Sequence, residues 1–133
     1  MAESKELLEA AREAQSKAYA PYSNFRVGCA LLAEDGTIFK GCNVENASYG
    51  VTICAERTAL TSAVVAGARK FTRLVLVTDS QHAEAPCGAC RQALVEFAPE
   101  MEILSLGMDG SERRWTVKEL LPAHFELKST VGA

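Results

Sequence analysis

The stretch RLVLVTDSQHAEAPCGACRQALVEF fills residues 73–97, and its three parts set the architecture. RLVLVTD, residues 73–79, is a short unbroken apolar run, the pattern of a strand buried on both faces. SQHAEAP is polar and ends in Pro86, which suits the start of a helix. From Cys87 to Phe97 the chain reads as that helix. A buried strand feeding a helix is part of a βαβ unit, so the sequence predicts an α/β fold. Two cysteines, Cys87 and Cys90, open the helix as a C-x-x-C.

The same arrangement occurs upstream. Residues from about Ile53 to Ala66 are rich in Ala, Leu and Val and stop near Gly67, which predicts a second helix. It begins ICAERTAL, with Cys54, Glu56 and Arg57 at the front of an otherwise apolar segment. Further out, residues 4–19 predict an amphipathic helix. Leu7, Leu8, Ala11, Ala14 and Ala18 share one face, and Pro21 ends it. Phe25–Leu32 reads as a buried strand, and EDGT at 34–37 as a hairpin turn into Ile38–Cys42. Met101–Leu106 and Arg113–Thr116 read as strands. Thr116 and Glu119 then form a T-x-x-E capping box for a short helix cut off by Pro122.

The order α-β-β-α-β-α-β-β-α predicts three layers, α/β/α, around a five-stranded mixed sheet. Its β-α-β-α-β middle is expected to be right-handed and parallel, with helices on both faces. Residues 1–133 are expected to form a single domain. The last residues, LKSTVGA, are expected to fray.

Composition narrows the function. Hydrophobic residues are 48% and charged residues 23% of the 133, which is globular rather than disordered. A formal net charge of −3 disfavours a polynucleotide partner, which needs a basic face. The charged opening MAESKELLEAAREAQ lacks an apolar core, and no run is long enough for a membrane span. A cytoplasmic location is therefore expected, where thiols stay reduced. Five cysteines, an odd number, then need an explanation other than disulfides.

Cys54 and the Cys87–Cys90 pair each sit where a loop passes into a helix. In an open sheet such loops converge at the carboxyl ends of the strands, where ligands bind. Three thiolates suit Zn²⁺ by softness and tetrahedral preference, and three protein ligands without a fourth are the pattern of a catalytic zinc. Three thiolates leave the centre one net negative charge, which helix N-termini and Arg57 offset. Glu56 is placed to move protons at an activated water. Taken alone, the C-x-x-C also fits a thioredoxin-like redox pair or a closed structural zinc. His82 is the rival fourth ligand, and Cys29 and Cys42 read as ordinary buried residues.

CAE followed by PCGAC resembles the signature of zinc-dependent nucleoside deaminases. YAPYSNFRVGCALL, GCNVENASYG, CAERTAL, PCGACRQ and LLPAHF, read in that order, resemble cytidine deaminase in its short homotetrameric, three-cysteine form. The resemblance implies that Cys54, Cys87 and Cys90 hold one Zn²⁺ per subunit and that Glu56 shuttles protons. It implies that Asn43 and Glu45 bind the ribose 3′-hydroxyl, that Phe25 packs on the nucleoside and that the Ala55 backbone reads the pyrimidine edge. Ala47, Tyr49 and Phe125 are implied to reach a neighbouring subunit's site. The implied reaction is hydrolytic deamination of cytidine or deoxycytidine, giving uridine or deoxyuridine and ammonia. Editing of cytosine in RNA or DNA needs a basic channel. A cytosine-containing antibiotic fits NVEN less well than a ribose does. A non-catalytic zinc-stabilised module leaves Glu56 unexplained.

Overall fold

The computed structural model describes residues 2–127; the expected fraying of LKSTVGA falls largely outside them. Ala2–Gln15 forms helix α1, burying Leu7, Ala11 and Ala14. The helix stops before residue 19 because Tyr19 is recruited elsewhere. Its N–H donates to the Asn43 carbonyl at 3.0 Å and its carbonyl accepts from Glu45 N–H at 2.9 Å. That bridge ties the start of the chain to the NVEN loop.

Val27–Ala33 (β1) and Ile38–Cys42 (β2) form the expected hairpin, followed by a 3₁₀ turn at Tyr49–Val51. Ala55–Val65 is α2, Phe71–Thr78 is β3, and Gly88–Val95 is α3. Glu102–Leu106 (β4), Glu112–Thr116 (β5) and Val117–Leu120 (α4) complete the order. The capping box is present: Glu119 N–H donates to the Thr116 hydroxyl oxygen, and the Glu119 carboxylate accepts from Thr116 N–H.

The sheet order is β2-β1-β3-β4-β5. It corrects one expectation. β2, β3 and β4 point the same way, but only β3 and β4 are hydrogen-bonded in parallel. β1 lies between β2 and β3, antiparallel to both. The tight hairpin keeps β1 beside β2, so the α2 crossover must pass over β1 to reach β3. Helices cover both faces, as expected. α1 packs on Ala30, Leu32, Val75, Val77 and Leu104. α2, α3 and α4 pack on the opposite face, on Cys29, Leu31, Leu74, Leu76 and Ile103. β1 is buried almost throughout because it is central and covered on both sides.

This arrangement puts one edge of the sheet to use. The carboxyl ends of β2, β3 and β4 and the amino end of β1 meet there, and α2 and α3 both start from it. Gly41 sets how closely α2 approaches. A Cβ at this position would lie 2.3 Å from the Ala55 carbonyl oxygen and 2.5 Å from Ala59 N, so the first turn of α2 rests on bare backbone. Gly41→Ala is expected to lower unfolding free energy in urea by about 1–3 kcal/mol, the cost of forcing extra volume into a packed contact. Wild-type stability in that variant would show that α2 does not depend on the contact.

Candidate active site

Cys54 is the N-cap residue of α2 and Cys87 the N-cap residue of α3; both have extended backbone and neither side chain makes a capping hydrogen bond to its helix backbone. Their sulfurs are thus left facing the space between the two helix starts. Cys90 stands in the first turn of α3, and the i, i+3 spacing returns it to the side of Cys87. The three Sγ atoms all lie within 4.8 Å of one another, and Cys54 Sγ and Cys87 Sγ are 3.7 Å apart. That separation is too long for a disulfide. It matches the roughly 3.8 Å edge of a tetrahedron with about 2.3 Å zinc–sulfur bonds. The donor set therefore fits a zinc ion. His82, the rival ligand, lies outside this cluster and pairs with Asp109, Nδ1 to Oδ2 at 2.7 Å.

Electrostatics prepare the sulfurs for a cation. The Cys54 thiol is lowered to about 5, chiefly by its hydrogen bond with Cys90 and then by Arg57 and Cys87. Arg57 Nη2 donates to Cys54 Sγ at 3.6 Å. The Cys90 thiol is pushed far up by its bond to Cys54 and by burial. The two thiols titrate as a coupled pair, with the first ionisation favoured by Arg57. Two helix N-termini add positive potential at the same point.

Glu56 is only 4% exposed, although it stands in the first turn of α2. Burial pushes its carboxyl up to about 7; a backbone hydrogen bond and Arg57 oppose the rise, and the Cys54 charge adds to it. A carboxyl near neutrality can both take and give a proton.

A cavity of about 270 Å³ is lined by residues that include Phe25, Asn43, Cys54, Ala55, Glu56 and Cys87, whereas Cys90 is fully buried and not part of its wall. Six of the expected site residues therefore meet in one place. Glu45 and Tyr49 line an adjoining groove with Tyr22, Ser23, Asn46 and Thr52, and Thr52 borders both spaces. Ala47 and Phe125 line neither; Phe125 is 70% exposed, and its carbonyl accepts from Gln92.

The loop residues hold the cavity as well as line it. The Asn43 side chain is buried, accepting from Val27 N–H and donating to the Phe25 carbonyl, each at 2.9 Å. It clamps the end of β2 to the approach to β1. Glu45 accepts from the backbone N–H groups of Tyr22 and Ser23 and from the Ser23 hydroxyl, which holds its carboxyl below the usual range. Val44 and Ile53 exchange backbone hydrogen bonds at 2.9 and 3.0 Å, which fixes the residue before Cys54.

Val27, Thr52, Leu76, Thr78, Glu84 and Ala85 also line the cavity without having been singled out. Val27, Leu76 and Thr78 stand at strand ends, where pattern alone reads them as core. Glu84 and Ala85 lie directly before Pro86 and Cys87, and that position is the one signal that could have marked them.

A family model described as "Cytidine and deoxycytidylate deaminase zinc-binding region" matches residues 1–106. The chain belongs to this family. It is 48% identical over 120 residues to a cytidine deaminase of Sporosarcina psychrophila, covering 90% of this chain and 88% of that one. It is 44% identical over 126 residues to a probable cytidine deaminase of Dictyostelium discoideum, covering 94% and 85%. The crystal structure of cytidine deaminase from Burkholderia pseudomallei superposes with a TM-score of 0.88 at 51% identity, covering 91% of this chain and 98% of that one. The family region is zinc-binding, and Cys54, Cys87 and Cys90 are the residues positioned to hold the ion.

The thiol assignments can be checked by alkylation once zinc has been stripped with a chelator. Near pH 6, Cys54 is expected to react well ahead of Cys42, because the first is a thiolate there and burial raises the second. Both are half-buried, so access does not decide the comparison. Zinc is expected to protect Cys54. Equal rates in the stripped protein would refute the low Cys54 value.

Proposed function

We propose that the protein is a cytidine deaminase, hydrolysing cytidine and 2′-deoxycytidine to uridine and 2′-deoxyuridine with release of ammonia, in pyrimidine salvage. One observation carries the reading: a buried carboxyl, Glu56, lines the same small cavity as Cys54 and Cys87, whose sulfurs converge with that of the fully buried Cys90. Zinc, which Cys54, Cys87 and Cys90 would hold, would make a water acidic enough to act as the nucleophile. Glu56 accepts the proton that the nucleophile gives up and delivers it to N3 of the ring. It then carries a proton to the departing amine. The water oxygen ends on C4, the C4–N bond breaks, and ammonia leaves. Arg57 balances the negative charge of the three sulfurs.

The cavity supports a nucleoside in particular. Its volume of about 270 Å³ lies just below the roughly 300–1,000 Å³ usual for small-molecule sites. Two carboxylates, Glu56 and Glu84, and no Lys or Arg stand among its lining residues, which disfavours a phosphate and a nucleic-acid strand alike. Phe25 offers a surface for the nucleoside, and the Ala55 backbone lies at the pyrimidine edge. Asn43 and Glu45 are assigned to the ribose 3′-hydroxyl across the border between cavity and groove.

The reading includes assembly. Residues 1–133 act as one domain, and four copies form a homotetramer in the cytoplasm. Val44, Tyr49, Val51, Ile53, Val65 and Phe125 expose apolar surface that supports such contacts. Ala47, Tyr49 and Phe125 are assigned to a neighbour's site. Light scattering on the zinc-loaded protein is expected to give about four times the chain mass. A monomer retaining full turnover would remove the shared-site assignment.

The reaction itself is tested by following ultraviolet change and ammonia release with cytidine. Glu56→Ala is expected to cut turnover by about 10³-fold or more, toward the upper end of what general acid–base catalysis contributes, with zinc content unchanged. A zinc-loaded wild type that leaves both cytidine and deoxycytidine unchanged would overturn the reading.

A further inference from the structure

The loop from residue 79 to residue 87 carries Cys87 and two cavity-wall residues, Glu84 and Ala85, and has no regular secondary structure of its own. Something outside it must set its shape, because Cys87 has to stand in register with Cys54 and Cys90. Neighbouring elements grip it along its length. Met108 N–H donates to the Ser80 carbonyl at 2.9 Å, and Asp109 N–H to the Gln81 carbonyl at 3.0 Å. Ala83 N–H donates to the Ser111 hydroxyl oxygen at 3.0 Å. Gly107 lets the two backbones touch: a Cβ there would lie 2.5 Å from the Gln81 carbonyl oxygen. These contacts all come from the β4–β5 turn and hold residues 80–83.

The next residue is held differently. Ser105, on β4, is completely buried, and its hydroxyl donates to the Glu84 carbonyl at 2.6 Å. Alternation along the strand puts Ser105 on the same side as Ile103, which belongs to the core under α2 and α3. Its parallel partner is Leu76, which lines the cavity. Packing alone calls for an apolar residue at such a position. A buried hydroxyl is tolerated there because it has a partner, and that partner is the backbone three residues before Cys87. On the other side of the same short segment, Arg91 Nε donates to the Pro86 carbonyl at 2.8 Å. Residues 84–86 are thereby pinned from β4 and from α3.

We propose that Ser105, backed by the β4–β5 turn, is a positioning residue for the zinc site and cavity wall: it fixes the Glu84 carbonyl and so the path that delivers Cys87. It acts through the loop and touches neither metal nor substrate. The inference rests on the zinc-site reading given above. Two readouts on the zinc-loaded protein test it without any substrate: the rate at which an excess of chelating dye strips the ion, and amide hydrogen exchange across residues 79–87.

Ser105→Ala is expected to release zinc about tenfold faster, the lower end of the effect of losing a group that orients a ligand. Exchange at the Ala83 amide, whose N–H is hydrogen-bonded to Ser111, should quicken while the β3 amides stay protected. Ser105→Thr, which keeps the hydroxyl, should restore slow release. Leu104→Val is the control. It weakens the core on the α1 face and is expected to lower thermal stability without speeding release. Unchanged release in Ser105→Ala, or equal acceleration in Leu104→Val, overturns the inference. Should Ser105→Ala not fold, Ser111→Ala loosens the same brace at Ala83 and is expected to speed release by a smaller factor; an unchanged rate there overturns the inference too. A wild type that takes up no zinc overturns this inference together with the functional reading, whereas normal uptake with unaltered release overturns this one alone.

Discussion

Three sulfur atoms within 4.8 Å of one another repel as thiolates unless a cation lies among them, and the rest of the architecture is arranged around that cost. Cys54 and Cys87 are held apart from their own helices, as N-cap residues whose side chains make no cap bond. Each therefore sits in the positive end of a helix while leaving its sulfur free for a metal. For the two helix starts to meet, α2 and α3 must leave the same edge of the sheet and lie on the same face. The parallel sense of β2, β3 and β4 meets the first requirement, and crossovers of one hand meet the second.

Glu56 depends on the same geometry. A carboxylate in the first turn of a helix is ordinarily stabilised by the dipole and exposed to water. Here α2 lies so close to β2, over Gly41, that its first turn is sealed in and Glu56 is buried. Burial overrides the dipole and Arg57, and the carboxyl rises toward neutrality. The close approach that fixes Cys54 is thus the one that gives Glu56 an acid strength suited to moving protons in both directions.

Much of this was legible in the sequence, for reasons that differ between elements. The apolar run at 73–79, the capping box at Thr116 and Glu119 and the cysteine spacings are local signals, and the structure contains what each predicts. Helix ends were misplaced where a distant partner decides them: α1 stops at Gln15 because Tyr19 pairs with the loop at 43–45. The place of β1 between β2 and β3 is a long-range pairing that carries no local mark. Asn43 carries no local mark of its clamping role, because its two backbone bonds across the mouth of β1 form only once the strands are paired. Ser105 sits in a strand whose apolar residues, Ile103, Leu104 and Leu106, explain themselves by packing, so a single small hydroxyl gives no signal.

The cavity wall therefore has two kinds of construction. Ala55 and Glu56 stand on the first turn of α2, packed directly on the sheet, where a shift of position would disturb many buried contacts at once. Asn43, Glu84 and Ala85 stand on loops, held by a few specific hydrogen bonds. Chemistry that needs fixed distances between sulfur, carboxyl and ring belongs on the first kind. Recognition of the sugar and of groups at the cavity mouth belongs on the second, where one residue can change without moving the metal. Cys54 and Cys87 stand at helix N-caps, where the second kind gives way to the first, and Cys87 is the one reached through the loop at 79–87. The buried bond from Ser105 is what the structure adds at that junction.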